Sequence, residues 1–318
     1  MTGQKKRMAV VGAGSFGRNH LRVLQQLETV ELVSVCDSDP QRAAEAAQQY
    51  GCEAVSELES LAGKVDAAIV ATPTSAHAEV GCRLMSSGID VLIEKPIAPD
   101  LASARWLTDT AAAHDRILQV GHLERFNPAV IALAKIATVP LFFEVHRLSL
   151  FSPRGLDVDV VLDLMIHDLD VVLSLTGNLP EEIRAAGISI LSEKVDIANV
   201  RLAFHNGCVA NLTASRVSTE RVRKLRVFQP SQYISVDYAR QDLAAFRVMP
   251  DRQINYEPIE VLKGEPLRLE LEHFIECVET RRQPLVDGHA ATRALEVAHG
   301  IIAKIEEHAR IVAQTLSK

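Results

Sequence analysis

The sequence predicts an α/β protein: an N-terminal doubly wound parallel-sheet domain, then a C-terminal α+β domain with a mostly antiparallel, open sheet. Three observations support this. From Met8 to Gly121, continuous apolar strands alternate with amphipathic helical stretches, as a sheet covered on both faces requires. A glycine-rich turn follows the first of those strands. Beyond about residue 123 the alternation stops, and short strand-like runs separated by turn residues succeed one another. We place the domains at 1–122 and 123–318, with the last helix able to pack back on the first domain.

The elements follow in order. MAVVGA is a strand, a helix runs through LRVLQQL, and ELVSVCD is the second strand. The Ala-rich QRAAEAAQQYG is helical, DAAIVATP a strand, SAHAEVGCRLMSSG a helix and DVLIEKP a buried strand. ASARWLTDTAAAH and ILQVGH close the first domain as helix and strand. In the second, a helix follows Pro128, then the strand-like PLFFEVHRLSL and a helix over DVDVVLDLMIHDLD. RAAGISIL, IANVRLAF, CVANLTASR, KLRVFQ and YISVDY read as strands, and LRLELEHFIECVETRR and ATRALEVAHGIIAKIEEHA as helices.

Composition narrows the function. The 318 residues are 47% hydrophobic and 24% charged, as in a globular protein with a substantial core. A net charge of −7 argues against a nucleic-acid partner and means that an anionic substrate needs a local basic pocket. No apolar run approaches the roughly 20 residues that span a bilayer. The basic start MTGQKKR runs straight into the glycine-rich strand, unlike a signal peptide, so we expect a cytoplasmic protein without a membrane partner. Cys36, Cys52, Cys82, Cys208 and Cys277 are odd in number and scattered, which fits reduced thiols and offers no metal site.

GAGSFG, from Gly12 through Gly14, Ser15 and Phe16 to Gly17, follows a strand and opens a helix, the context in which G-x-G-x-x-G binds a dinucleotide. The first glycine makes the tight turn, the second admits a pyrophosphate, and the third brings helix and strand close. Asp37 ends the second strand about 20 residues on, where a carboxylate accepts ribose hydroxyls and repels a 2′-phosphate. With Ser38 next and Arg42 the only basic side chain nearby, NAD is the expected cofactor rather than NADP. Thr72, Pro73 and Thr74 lie at the carboxyl end of another strand, the edge where such sheets bind ligands, and also suit a helix N-cap. His77, one turn on, fits packing or capping as well as cofactor contact.

Two polar features remain. Glu94-Lys95-Pro96 ends a buried strand, so Lys95 emerges from apolar surroundings, with a proline that disfavours helical backbone before it. On the helix DVDVVLDLMIHDLD, helical spacing puts Asp159, Asp163, His167, Asp170 and Ser174 on one stripe, with Asp168 opposite. Periodicity alone divides evenly between a solvent face and a site.

G-x-G-x-x-G, then E-K-P after a later strand, then D-x-x-x-H on a helix resembles the glucose–fructose oxidoreductase/inositol dehydrogenase/MocA (Gfo/Idh/MocA) family, in order across almost the whole chain, including the tail LELEHFIECVETRRQPLVDG. The resemblance implies a Rossmann domain binding NAD. It also implies that Lys95, Asp163 and His167 line the substrate pocket beside the nicotinamide, Glu94 and Lys95 bordering the cofactor, and a homodimer or homotetramer. Met165 stands where the family often has glycine, two residues before the histidine. VGHLERFNPAV, FEVHRLSLFSPRGLDVDVVLDLMIHDLD and LTASR resemble the branch of the family that oxidises the 3-hydroxyl of UDP-N-acetylglucosamine to a ketone, the product passing to a partner aminotransferase. That substrate makes Arg125, Asn127, Arg154 and Arg216 candidate ligands together with Asp163 and His167, and Arg147 a further cationic fork for phosphate. These arginines equally suit pairing with neighbouring acids.

The mechanism expected is hydride transfer from sugar C3 to the nicotinamide, with neutral His167 as base, Asp163 supporting it, and the Lys95 ammonium stabilising the alkoxide. The roles of Lys95 and His167 exchange if burial lowers the lysine pKa. Two other readings stay open: a dehydrogenase of a free aldose, inositol or other cyclic polyol, and a dinucleotide-sensing regulator without turnover.

Overall fold

A computed structural model describes residues 5–151 and 158–316 and divides the chain into two compact units. The first comprises residues 1–123 and 265–292, the second residues 124–264 and 293–318. The expected division near residue 122 therefore meets the structure at that point only. The segment 265–292 belongs with the N-terminal unit, and it carries the penultimate helix and only the first residues of the last.

The first unit is built on six parallel strands: β1 (Lys6–Val11), β2 (Val30–Cys36), β3 (Glu53–Val55), β4 (Ala67–Val70), β5 (Asp90–Glu94) and β6 (Leu118–Gly121), in the order β3-β2-β1-β4-β5-β6. The order reverses between β1 and β4, which makes a crevice at their carboxyl ends. Helices α1 (Ser15–Leu24), α2 (Pro40–Tyr50), α3 (His77–Ser86) and α4 (Leu101–Ala113) make the crossovers. Local chemistry sets their ends. Asp39 caps α2 by accepting from the amides of Gln41 and Arg42 before Pro40 at the first turn, and Asp100 caps α4 through the Ser103 amide.

The later segment joins this unit through one packed layer. A helix over Pro266–Thr280 buries Leu271, Phe274, Ile275, Cys277 and Val278 with Met8, Val10, Leu21, Leu24 and Leu92. Each such side chain contributes about 1.5–3 kcal/mol on burial. Arg281 ties the end of that helix to Asp90 at 2.5 Å and to the Asp115 carbonyl at 2.7 Å. Beyond it, the Val286 carbonyl accepts from the Val120 amide on the edge of β6.

In the second unit, α5 (Pro128–Ile136), β7 (Phe142–Leu150) and α6 (Ile166–Thr176) precede seven strands: β8 (Glu182–Ile188), β9 (Ile197–Ala203), β10 (Val209–Ser218), β11 (Val222–Gln229), β12 (Gln232–Asp237), β13 (Asp242–Val248) and β14 (Ile254–Ile259). The sheet order is β14-β13-β12-β11-β7-β10-β9-β8, with β7 and β10 parallel and every other pair antiparallel. The helix Pro266–Thr280 is α7, and α8 (Gly288–Leu316) completes the chain. One face of the sheet buries Phe143, Val145, Leu225, Val227, Ile234 and Val236 with side chains of α5, α6 and α8. On the other face Phe142, Phe228, Tyr233, Phe246 and Tyr256 stand in one cross-strand row, with neighbouring ring centroids 4.3–5.7 Å apart.

Candidate active site

The glycine turn is sterically committed. Gly12 has φ +99°, and a Cβ there would lie 2.5 Å from the Ala71 carbonyl oxygen. A Cβ at Gly17 would lie 1.8 Å from the Gly12 carbonyl oxygen, whereas one at Gly14 would meet nothing within 4 Å. The turn thus leaves room at the one glycine where a phosphate must approach. A cavity of about 520 Å³ opens there, lined by Gly12, Gly14, Ser15, Phe16, Asp37, Ser38, Arg42, Thr72 and Pro73, with Arg83 on its wall. The Asp37 carboxylate takes the Ala13 amide at 2.7 Å, the Asp39 amide at 2.9 Å and Arg42 Nε at 3.2 Å. Thr72 Oγ1 is buried without a protein partner among the described residues. Glycine turn, an acid on the cavity wall and an unpaired hydroxyl fit a dinucleotide.

Three expected cofactor residues have other work. His77 is buried, with Nδ1 2.9 Å from the Pro96 carbonyl and Nε2 3.0 Å from the Thr72 carbonyl, so the ring is wedged between two loops and, as a neutral imidazole, donates to one of these carbonyls. Burial holds its pKa below the ordinary histidine value. Thr74 starts the short 3₁₀ turn Thr74–Ala76 and is not on the cavity wall. Glu94 directs one carboxylate oxygen to His20 Nε2 at 2.8 Å and the other to the Lys95 amide at 3.2 Å. Lys95 itself is partly exposed where β5 ends.

Asp163 and His167 do not sit on an unbroken α-helix. Val161–Met165 is a π-helical turn, in which the Ile166 amide donates to the Val161 carbonyl five residues back. Such turns recur at functional sites. The spacing gave no sign of it, and the expected stripe divides accordingly. Asp159 accepts from the Val195 amide at 3.0 Å, Ser174 donates to the Val171 carbonyl, and Asp170 lies 3.5 Å from Arg125. Asp163 and His167 remain partly exposed, while Asp168 and Asp170 are enclosed.

Residues 6–122 match the family model described as "Oxidoreductase family, NAD-binding Rossmann fold", and residues 148–229 match the "GFO/IDH/MocA C-terminal domain". UDP-N-acetylglucosamine 3-dehydrogenase of Acidithiobacillus ferrooxidans is 36% identical over 94% of this chain and 97% of that enzyme. The chain belongs to the Gfo/Idh/MocA oxidoreductase family. A solved structure of the same Acidithiobacillus enzyme superposes with a TM-score of 0.91 at 35% identity, covering 96% of this chain and 99% of that one. Inositol 2-dehydrogenase of Rhizobium meliloti is 26% identical over 96% of this chain and 98% of that protein. The first unit is an NAD-binding Rossmann domain and the protein an oxidoreductase, which sets aside the sensor reading. Among the described residues no helix is long and apolar enough to cross a membrane.

Within this family member the arginines sort by burial. Arg147 is enclosed and bidentate to Asp168, Nε at 2.6 Å and Nη2 at 2.9 Å, with Nη1 3.0 Å from Glu124. Burial opposes its charge, but the two acids raise its pKa above the ordinary guanidinium value and occupy its fork. Arg216 is also buried and donates to the Val158 carbonyl at 2.5 Å, with Asp196 3.9 Å away. Asn127, expected at the substrate, is spent on capping. Its Oδ1 accepts from the Ala129 amide at the start of α5, and its Nδ2 donates to Glu124 and to the Tyr238 carbonyl. Arg154 lies outside the described residues. Arg125 keeps one long ion pair and some exposure, which leaves it the best placed of the described candidates for an anion.

Proposed function

We propose that this oxidoreductase oxidises a sugar hydroxyl of a nucleotide sugar, and specifically the 3-hydroxyl of UDP-N-acetylglucosamine. The observation that carries this is likeness along nearly the whole length to an enzyme named for that reaction. Bound NAD supplies the hydride acceptor. His167, as neutral imidazole, takes the hydroxyl proton, because histidine as a residue type, with an unperturbed pKa of about 6.5, suits proton exchange near neutrality. Asp163 supports the imidazolium that forms, and the Lys95 ammonium stabilises the developing alkoxide. Arg125 contacts the diphosphate as a cationic fork. The 3-keto product is the substrate class an aminotransferase consumes.

A second copy of the chain covers the aromatic row on the open sheet face in this reading, making a homo-oligomer. Rings from five strands lie exposed or half-exposed there, and pairing would withdraw them from water.

One finding favours a smaller substrate. Arg147 and Arg216 are committed to buried acids and a carbonyl, so fewer cations remain for a diphosphate, and inositol dehydrogenases are also full-length relatives. Incubating the protein with NAD and each sugar, and following the absorbance of reduced nicotinamide, decides between them. Turnover with UDP-N-acetylglucosamine but not with inositol or free glucose is expected; the opposite pattern overturns the nucleotide-sugar reading. Lys95→Ala and His167→Ala should each lower kcat by about 10²–10⁴-fold. Near wild-type turnover in both removes the proposed chemistry.

A further inference from the structure

The Rossmann unit contains a buried acid that the reaction above does not use. Glu270, on the inward face of α7, is 1% exposed, and neither carboxyl oxygen has a hydrogen-bond partner among the described residues. No cation pairs with it there. An unpaired carboxylate in such a place costs several kcal/mol or more, so the group takes a proton instead.

Its surroundings lead to Lys95. Gln119 on β6 donates to the Glu270 main-chain carbonyl at 3.2 Å and is itself wholly buried, with Oε1 unpartnered among the described residues. Gln119 pairs across the sheet with Leu92, and Gly121, two residues on, pairs with Glu94. Glu94 lies over Gly121, where an added Cβ would come within 3.3 Å of Glu94 Oε2. From α1, His20 reaches the other Glu94 oxygen at 2.8 Å and keeps Nδ1 unpartnered among the described residues. The Lys95 amide donates back to Glu94 Oε2. His20 of α1 and Gly121 of β6 thus close on one carboxylate, the backbone of Lys95 hangs from it, and Gln119, two residues before Gly121, ties that strand to α7.

We infer that His20 and the Lys95 amide hold Glu94 in a buried clamp, with Gln119 tying the neighbouring strand β6 to α7 and Glu270 kept there as a neutral acid, and that this clamp positions Lys95. Glu94 then carries the single negative charge in the layer. A charged Glu270 would add a second beside it, loosen the carboxylate and draw the lysine head back toward the fold. Burial first, and Glu94 second, push the Glu270 carboxyl well above its ordinary range. For Glu94, burial alone would raise the pKa, but the His20 hydrogen bond and charge, with Lys95, bring it below the ordinary value. The charged group that acts on Glu270 is Glu94 on β5, which His20 of α1 engages in turn; Gln119 on β6 carries no charge.

The clamp rests on Lys95 having the catalytic role proposed above, and the experiment separates the two. A carboxyl whose folded pKa exceeds its unfolded value stabilises the fold below the unfolded value, and that contribution is lost as pH rises through the folded one. Wild-type full-length protein should therefore lose Tm, relative to Glu270→Gln, as pH is raised from the ordinary carboxyl range. Parallel Tm curves would overturn the neutral acid whatever Lys95 does. In turnover, Glu270→Leu should lower kcat by about tenfold, with NAD affinity measured by fluorescence within about threefold of wild type, and Glu270→Gln should recover about fivefold of that loss. Gly121→Ala presses on Glu94 from the other side without removing a polar group, so it reads the clamp even if Glu270→Leu fails to fold. It too should lower kcat and spare NAD binding. Wild-type kcat in both Glu270→Leu and Gly121→Ala overturns the clamp. Full turnover in Lys95→Ala would instead sink the catalytic reading, while the Tm comparison would still judge Glu270.

Discussion

Asp37 accepts the Ala13 amide hydrogen at 2.7 Å, tying the acid at the end of β2 to the glycine turn at the end of β1. The same carboxylate holds Arg42 at 3.2 Å, and Arg42 lines the nucleotide cavity with about half its side chain exposed. Discrimination against NADP therefore depends on Asp37 repelling a 2′-phosphate and on Arg42 being occupied. Asp37→Ala removes a charged acceptor worth about 1.5–3 kcal/mol, so NAD affinity should fall about ten- to a hundredfold. It also frees a guanidinium for phosphate. Affinity for adenosine 2′,5′-bisphosphate should rise in Asp37→Ala and fall again in Asp37→Ala/Arg42→Ala. A double variant that binds the bisphosphate as well as the single one would show that Arg42 has no part.

Gly14 and Gly17 should fail in different ways. Gly17→Ala drives a methyl into the Gly12 carbonyl, an overpacking cost of about 1–3 kcal/mol, so Tm and NAD binding should fall together. Gly14→Ala meets no protein atom within 4 Å, so the fold should keep its Tm while NAD affinity drops through crowding of the pyrophosphate. Calorimetry of both variants with and without NAD checks this, and equal Tm losses would contradict it.

Removing Arg147 should unfold the second unit more than it disturbs any phosphate. Arg147→Met leaves Asp168 buried without its cation and Glu124 with Arg223, at 4.0 Å, as its one cation among the described residues, a loss of about 3–5 kcal/mol. Arg147→Met/Asp168→Leu should recover part of it, because one stranded charge goes too. Denaturant titration gives both values. A stable Arg147→Met with a raised KM for the nucleotide sugar would return this arginine to the substrate.

What could be read in advance follows from distance along the chain. The parallel sheet, the glycine turn and Asp37 were legible because each is a local pattern, a strand followed by its own loop. The open sheet was legible as alternating strands, but the single parallel pair, β7 with β10, was not, since it joins segments with two strands between them. Helix α7 reads as an ordinary amphipathic helix, and nothing local says that Phe274 joins Met8 in one core or that Arg281 reaches Asp90. The π-turn before His167 was hidden because its apolar pattern continues across the extra residue. The arginines stayed open between phosphate and neighbouring acids for a related reason: residue type shows a cationic fork, and only the packed structure shows that Asp168 already fills that of Arg147.

Asp196 sets an acid limit on the second unit. Wholly buried, it accepts the amides of Ile190 at 2.7 Å, Leu191 at 2.6 Å and Ser192 at 3.1 Å, and the Ser192 hydroxyl at 2.8 Å. Burial works against the carboxylate, yet those donors bring its pKa down to about 2. A folded pKa below the unfolded value stabilises the native state above the unfolded carboxyl range, and the contribution is lost as pH falls toward about 2. The shift corresponds to about 2 kcal/mol near neutrality. Asp196→Asn should lose stability of that order at pH 7, since an amide cannot accept all four bonds and leaves Arg216 without its nearby charge. Between pH 4 and pH 2 the wild type should lose its advantage and the two curves converge. Urea titrations across that range test it, and a gap between the curves that does not narrow on acidification would mean that the Asp196 loop is held by something other than its charge.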